Sequence, residues 1–181
     1  ETESVAMGRA MFRAMKKKDC VTLDFGANST DMCIMTNGAL VFSQSIPIGS
    51  DSLTQAIVNK FNFDYNRAEE FKRAYSLIPN ALEGKIYSAL LPIVESIMIE
   101  VRRGIEFYKN KTMSPAPMEY LLNGDGALLP GLTEYVSKSL GVSAQIANPW
   151  LNISIDNRFK NIISKTGGSY SIAVGLALKD E

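Results

Sequence analysis

The chain has 181 residues, of which 46% are hydrophobic and 21% charged, so it can bury the core of one domain or of two small ones. Its 19 basic residues balance 19 acidic residues, which excludes the strong positive field that attracts nucleic acid or anionic lipid. Because the sequence has no histidine, Ser-His-Asp and Cys-His nucleophiles and histidine-bound zinc are excluded as well.

No apolar stretch approaches the ~20 residues that a membrane-spanning helix needs, and the N-terminus lacks the pattern of a signal peptide. We therefore expect a cytoplasmic protein without membrane insertion. The chain starts at Glu1 rather than at Met, so we expect a processed fragment or a piece of a longer protein. If the first hairpin turns near Asn28, Cys33 lies opposite Leu23, about 10 Å along the strand from Cys20, and we expect no disulfide.

Residues 1–18 have the pattern of an amphipathic helix, with methionines four residues apart and a lysine-rich end that suits the helix dipole. The next segment, 21–30, ends an apolar strand in Asp24 and continues as a turn rich in Gly, Asn and Ser. Such a turn can point its backbone N–H groups at a phosphate, while a carboxylate at the strand end can hold hydrated Mg²⁺. The alternative is a plain hairpin whose Asp and Asn satisfy turn amides.

The Asn37-Gly38 pair predicts a tight turn into a third strand at 39–45, so residues 20–46 form an antiparallel meander. Ser50 or Asp51 can cap a helix that extends to Phe61. Asp64 can cap a second helix, and the charged residues of that helix are interpreted as a solvated face: Glu69, Glu70, Lys72 and Arg73.

Helical periodicity resumes at 85–111, where Pro92 must begin a new helix or kink the old one. A short strand at 118–122 leads into a glycine-rich turn at 123–131, and a helix then extends to Leu140 and ends at Gly141. A further strand is predicted at 143–147. Residues 154–165 are polar and irregular, and a helix of small residues closes the chain at 170–178.

Three of these segments, in this order, resemble the second half of the actin, Hsp70 and hexokinase superfamily of ATP-binding proteins. Residues 24–30 look like its second phosphate motif, 122–131 like its adenosine motif, and 173–176 like its second connecting helix. Within the superfamily the chain is most similar to the PilM family of type IV pilus assembly proteins, over nearly its whole length. The residues that carry this likeness are 48–54, 68–72, 100–108 and 148–150.

The resemblance implies an α/β fold, an actin-like ATPase (ribonuclease H-like) domain with a mixed sheet flanked by helices and a small helical insertion subdomain. Residues 1–18 would be the leading interdomain helix. The larger subdomain of the second domain would be formed by residues 19–50 and 114–181. Residues 51–113 would form the helical insertion subdomain and a long return helix. The first half of the fold, with its own phosphate motif, would be missing.

By the same resemblance, Asp24 would hold Mg²⁺ through water, and the turn that follows would contact the phosphates of ATP: Gly26, Ala27, Asn28, Ser29 and Thr30. Gly124 and Gly126 would border the adenosine. Glu69 and Lys72 match positions that commonly reach the ribose or adenine; the alternative is a surface ion pair worth at most about 1 kcal/mol. Asp125 stands where the family usually has a small residue, and its carboxylate would repel phosphate unless it turns outward.

The function implied is that of an ATP- and Mg²⁺-binding, actin-like component of type IV pilus assembly. Such a protein would be a cytoplasmic platform held at the inner membrane by a PilN-like pilus protein, whose peptide would bind the absent first half. This chain would supply one half of the nucleotide cleft and no catalytic residue, and the longer protein would be at most a slow ATPase. No nucleic-acid partner is expected, and self-association is left open.

Three other hypotheses remain at this point. The chain could be the C-terminal half of a sugar or acetate kinase, which shares the ATP fold. It could belong to an FtsA-like cell-division protein. It could also be a scaffold whose nucleotide site has degenerated, because of Asp125.

Overall fold

The computed structural model describes residues 1–159, 163 and 167–179. The strands in these residues are β1 (Cys20–Phe25), β2 (Thr30–Thr36), β3 (Ala39–Ile46), β4 (Glu119–Asn123) and β5 (Ser143–Ile146). They form one mixed sheet in the order β3-β2-β1-β4-β5. Strands β1, β2 and β3 pair antiparallel, whereas β4 pairs parallel to β1 and β5 parallel to β4.

The helices are α1 (Glu3–Ala14), α2 (Ser50–Phe61), α3 (Tyr65–Tyr75), α4 (Lys85–Thr112), α5 (Leu132–Leu140) and α6 (Ser171–Ala177). Short 3₁₀ turns are formed by Ala81–Gly84, Asp125–Leu128 and Gly167–Tyr170. Pro92 lies inside α4, which continues through it as one helix. No helix in the described part of the chain has both the length and the apolar character needed to cross a membrane.

The sheet is covered by helices on both faces. The larger core packs the α4 stripe against β1 and β2, as the spacing of Val94, Met98, Val101 and Ile105 predicts. On the other face, α1 and α6 pack over Cys20, Cys33 and Leu121 through residues such as Met7, Met11 and Val174. The sheet is therefore buried between two helical layers, and the ends of β1 and β4 are left at one edge.

The antiparallel meander predicted for residues 20–46 is confirmed, and its second turn has positive φ at both Asn37 and Gly38. One register prediction was wrong, because Cys33 pairs with Thr22 rather than with Leu23. Both cysteines are free and buried, as expected.

Two helix ends differ from the prediction. Helix α1 ends at Ala14 because Lys16 and Lys17 adopt positive φ, which an α-helix cannot continue. Helix α2 begins at Ser50 after Gly49, so Ser50 is its first residue and not its cap. The predicted cap of α3 is confirmed, since the Asp64 carboxylate accepts a hydrogen bond of 2.9 Å from the Arg67 amide.

The predicted division into 1–18, 19–50 with 114–181, and 51–113 stays a prediction. Within the last range, α2 and α3 pack against each other and against α4. Part of the range 114–181, including five residues of the irregular stretch predicted for 154–165, lies outside the described residues.

Candidate functional site

The turns after β1 and β4 lie side by side at one edge of the sheet, because these parallel strands are neighbours and Asp24 pairs with Asn123. Gly124 has φ +78°, and a Cβ atom there would lie 2.6 Å from the Phe25 carbonyl oxygen. A Cβ atom on Gly126 would lie 2.8 Å from the Phe25 side chain. The second turn can therefore pack against the first only with glycine at both positions.

These two turns, with α2 and α3, enclose a cleft of about 750 Å³. The cleft is lined by most of the predicted site residues: Gly26, Ala27, Glu69, Lys72, Gly124, Asp125 and Gly126. Asp24, Asn28, Ser29 and Thr30 belong to the same strand and turn but are not among its lining residues. Two segments far apart in the sequence are thus brought together around one cavity.

The turn at 26–29 is held by three of its carbonyl groups and by the Gly26 amide, which leaves its other three amides available. The Ser29 carbonyl accepts from the Gly26 amide at 3.0 Å, and the Gly26 and Ala27 carbonyls accept from the first amides of α2, each at 2.9 Å. The amides of Ala27, Asn28 and Ser29 donate no hydrogen bond to any residue that the structure describes. An anion is the ligand that such a turn suits.

Two residues that were predicted to contact phosphate, Thr30 and Ser29, form hydrogen bonds within the protein through their side chains. The buried Thr30 hydroxyl donates to the Ile48 carbonyl at 2.8 Å and so fixes the loop that leads into α2. The Ser29 hydroxyl donates to the Asp31 carboxylate at 2.9 Å. Their hydroxyl groups therefore stabilise the turn, while its backbone remains the surface offered to a ligand.

Asp24 is a half-buried carboxylate among other acids. Burial raises its pKa to about 6, and the nearby carboxylates of Asp31, Glu3 and Asp125 add to the shift. In the described residues, no group of three or more acidic or thiol side chains is placed to hold a metal ion. A cation held by Asp24 would therefore need water or phosphate oxygens as its other ligands.

Replacing Asp24 by asparagine is expected to raise the free energy of unfolding at pH 7 by about 2 kcal/mol in metal-free, nucleotide-free buffer. Because the folded-state pKa of Asp24 lies above its unfolded value of 3.8, this group lowers stability as pH rises from about 4 to about 6. Urea denaturation of the chain and of the D24N variant at pH 4 and pH 7 measures the effect. The prediction would be contradicted if the D24N variant and the unchanged chain differed in free energy of unfolding by the same amount at pH 4 and at pH 7.

Lys72 is not a solvated charge, and the interpretation of residues 69–73 as a solvated face was wrong for it. The residue is only 2% exposed. Its ammonium group donates to the Ser50 hydroxyl at 2.6 Å and to the Thr54 hydroxyl at 2.8 Å, and pairs with Glu69 at 2.7 Å. The predicted Glu69–Lys72 pair is therefore largely buried and ties α3 to the start of α2.

Glu69 accepts two further hydrogen bonds, from the Thr54 hydroxyl at 2.7 Å and from Arg73 Nε at 2.9 Å. Partial burial acts to raise its pKa, but the hydrogen bonds from Lys72, Thr54 and Arg73 outweigh this and lower the pKa to about 2. We call the residues Ser50, Thr54, Glu69, Lys72 and Arg73 the polar cluster. Four of its members line one wall of the cleft, namely Ser50, Glu69, Lys72 and Arg73, and the Glu69 carboxylate is ionised at neutral pH.

The sequence patterns missed several of these residues. Ser50 was predicted only as a possible helix cap and Thr54 was given no role in the site, although hydroxyls four residues apart lie on one face of a helix. Tyr65, Ser169 and Tyr170 also line the cleft, and no sequence signal singled them out.

Asp125 is exposed and accepts a hydrogen bond from Ser169, in the segment just before α6. The buried Ser171 hydroxyl lies 2.6 Å from the Asn123 side-chain oxygen and 2.8 Å from the Gly168 carbonyl. The segment that leads into the third motif thus packs against the second motif, and the Asp125 carboxylate is held by a hydroxyl at the rim of the cleft.

Comparisons with known proteins agree with this architecture. The family model for "Type IV pilus assembly protein PilM" matches residues 2–181. The solved PilM-PilN type IV pilus biogenesis complex is similar, with a TM-score of 0.80 and 27% identity over 97% of this chain and 50% of that chain.

Two more distant structures show the same fold. MreB5 of Spiroplasma citri bound to ADP has a TM-score of 0.70 and 16% identity, over 98% of this chain and 58% of that chain. Ta0583, an archaeal actin homolog, has a TM-score of 0.63 and 14% identity, over 97% of this chain and 52% of that chain. The chain thus spans about half of the length of the structures that it matches. The predicted actin-like α/β fold is confirmed, and the match to the family model over nearly every residue shows that the chain belongs to the PilM family of type IV pilus assembly proteins.

Proposed function

We propose that the chain forms one wall of a site for ATP with Mg²⁺, in an actin-like component of type IV pilus assembly. The observation that carries this proposal is the meeting of the glycine-bearing turns at 26–29 and 124–126 at one cleft, with unpaired amides on the first. An anion on those amides satisfies backbone donors that have no partner within the described chain. The similar MreB5 structure is bound to ADP, which supports a nucleotide as the ligand.

In this proposal the amides of Ala27, Asn28 and Ser29 bind the phosphates, and Gly126 and Gly124 border the adenosine. Asp24 holds Mg²⁺ through water, and the cation supplies the positive charge that the surrounding carboxylates favour. Glu69 is the member of the polar cluster with the better access to a ribose, since its side chain is 25% exposed and that of Lys72 is 3% exposed. Lys72 then acts by fixing the Glu69 carboxylate in place.

The likeness to the PilM-PilN complex supports docking of the longer protein to a PilN-like protein of the inner membrane. The chain would then work in the cytoplasm, peripheral to that membrane through its partner. One wall of a cleft cannot position an attacking water against the γ-phosphate, so ATP would serve here mainly as a conformational and assembly ligand, hydrolysed slowly at most. The family match favours this role over the kinase and division-protein hypotheses.

Placing a carboxylate in the first turn, in the variant Ala27→Glu, is expected to weaken Mg·ATP binding at least about tenfold, since it repels the phosphates. Ala27 is exposed and contributes to the fold through its backbone carbonyl, so the variant should fold normally. Ala27→Ser is the matched control and should bind as the unchanged protein does. Isothermal titration calorimetry on the longer protein that contains both halves of the fold measures the affinities.

The same titration on the present chain is expected to give much weaker binding, because the second wall of the cleft is absent. Equal affinity of the chain and the longer protein would contradict the half-site proposal. A longer protein that binds no nucleotide, or an A27E variant that binds normally, would contradict the nucleotide site and favour a scaffold with a degenerate cleft.

A further inference from the structure

A second cavity, of about 700 Å³, opens where the C-terminal ends of α1 and α6 meet, outside the candidate nucleotide cleft. None of its lining residues in the described part of the chain is acidic. We call it the basic groove, after the cationic residues that line it: Arg9, Arg13, Lys16, Lys17 and Lys179.

The end of α1 fixes the backbone that carries the two central lysines. Lys17 donates its amide to the Phe12 carbonyl at 2.8 Å and Lys16 to the Arg13 carbonyl at 3.0 Å, the pattern of a Schellman ending. Asn152 adds a hydrogen bond of 3.2 Å from its side-chain amide to the Ala14 carbonyl. The lysine side chains therefore project, exposed, from a backbone that is held in place.

One carboxylate, that of Glu1, balances part of the positive charge of the basic groove. Glu1 pairs with Arg9 and lies 3.7 Å from Lys179, and Arg9 also donates to the Gly175 carbonyl at 2.7 Å. Neither Lys16 nor Lys17 forms an ion pair with any residue that the structure describes. Two adjacent lysines thus face solvent beside a cavity that no carboxylate of the described residues lines.

The shape and the apolar lining favour a peptide over a membrane surface. Phe12 and Leu178 are half-buried and line the same cavity, so the basic groove offers apolar contacts between its charges. A flat layer of anionic headgroups would meet only the outer cations and leave the concave part unfilled, whereas an extended peptide can fill it. Carboxylate side chains complement the cations, and an apolar side chain complements Phe12 and Leu178.

We propose that the basic groove docks an acidic, leucine-containing peptide segment of a partner protein. The proposal is independent of nucleotide binding, because none of the residues that line the groove lines the nucleotide cleft. Charge attraction would guide the encounter, and the apolar residues would fix the register of the peptide.

The test uses a short fluorescein-labelled peptide of glutamates interrupted by leucines, with fluorescence anisotropy as the measurement. We expect saturable binding that weakens as salt is raised, and none for the same peptide with glutamine in place of glutamate. The double variant Lys16→Glu, Lys17→Glu should bind at least about tenfold more weakly. The control, Lys109→Glu with Lys111→Glu, makes the same charge change on α4, at a half-exposed and an exposed lysine, and should bind normally.

Circular dichroism verifies that both double variants are folded. If the groove variant and the α4 variant lost peptide affinity equally, the proposal would be overturned, because the attraction would then come from overall charge. It would also be overturned if the unchanged chain failed to bind the acidic peptide in low salt. Binding to phosphatidylglycerol vesicles without binding to the peptide would show a membrane-facing surface instead.

Discussion

Replacing Lys72 by methionine is expected to lower the free energy of unfolding by about 3 kcal/mol at pH 7, since it removes one partner of a buried ion pair. The loss falls at the lower end of the range for such pairs, because Glu69 keeps its hydrogen bonds to Thr54 and Arg73. The Ser50 and Thr54 hydroxyls also lose the ammonium group that joins them to α3. Urea denaturation measures the change.

Lys109→Met is the matched control. Lys109 pairs with Glu106 at 2.8 Å with the same spacing of three residues, but its side chain is 43% exposed. The control substitution should therefore lower the free energy of unfolding by less than about 0.5 kcal/mol. If K72M and K109M were equally stable, the polar cluster would not hold α2 and α3 together.

Replacing Gly175 by alanine is expected to destabilise the chain by about 3 kcal/mol, because the added methyl group would overlap the carbonyl oxygen of Ala6 in α1. A backbone oxygen cannot move aside as a side chain can, so α6 would have to shift away from α1. The carbonyl of Gly175 accepts a hydrogen bond from Arg9, and that shift of α6 would strain this hydrogen bond. Thermal unfolding followed by circular dichroism provides the measurement.

Ala177→Ser is the control for Gly175→Ala, because Ala177 lies on the same helix and is exposed. Its unfolding temperature should stay close to that of the unchanged chain. An alanine at position 175 that left stability within about 0.5 kcal/mol would show that the two helices have room to separate, contrary to the close contact.

The local parts of the fold could be predicted from the sequence. The Asn37-Gly38 turn, the cap at Asp64 and the glycine at 141 after α5 are each set by the conformational preferences of a few adjacent residues. The methionine spacing of α1 and the apolar stripe of α4 likewise follow from helical geometry. These features required no knowledge of the neighbours in space.

The arrangement of the site depended on contacts between distant segments. The parallel pairing of Asp24 with Asn123, which brings the two glycine turns together, carries no local signal. The burial of Lys72 is of the same kind, since a charged residue on a helix is expected at the surface until Ser50 and Thr54 provide its acceptors. The superfamily resemblance indicated which turns belong together, whereas the polar cluster emerged only from the packing of α2 on α3.

The proposed nucleotide site is tested most directly by mapping where a nucleotide contacts this chain. In ¹⁵N-resolved NMR spectra, millimolar Mg·ADP is expected to shift the amide signals of Ala27, Asn28 and Ser29 together with those of Gly124 and Gly126. The same addition to the A27E variant should leave them unchanged. No shifts at all, or shifts confined to the basic groove around Lys16 and Lys17, would contradict a nucleotide wall at these two turns.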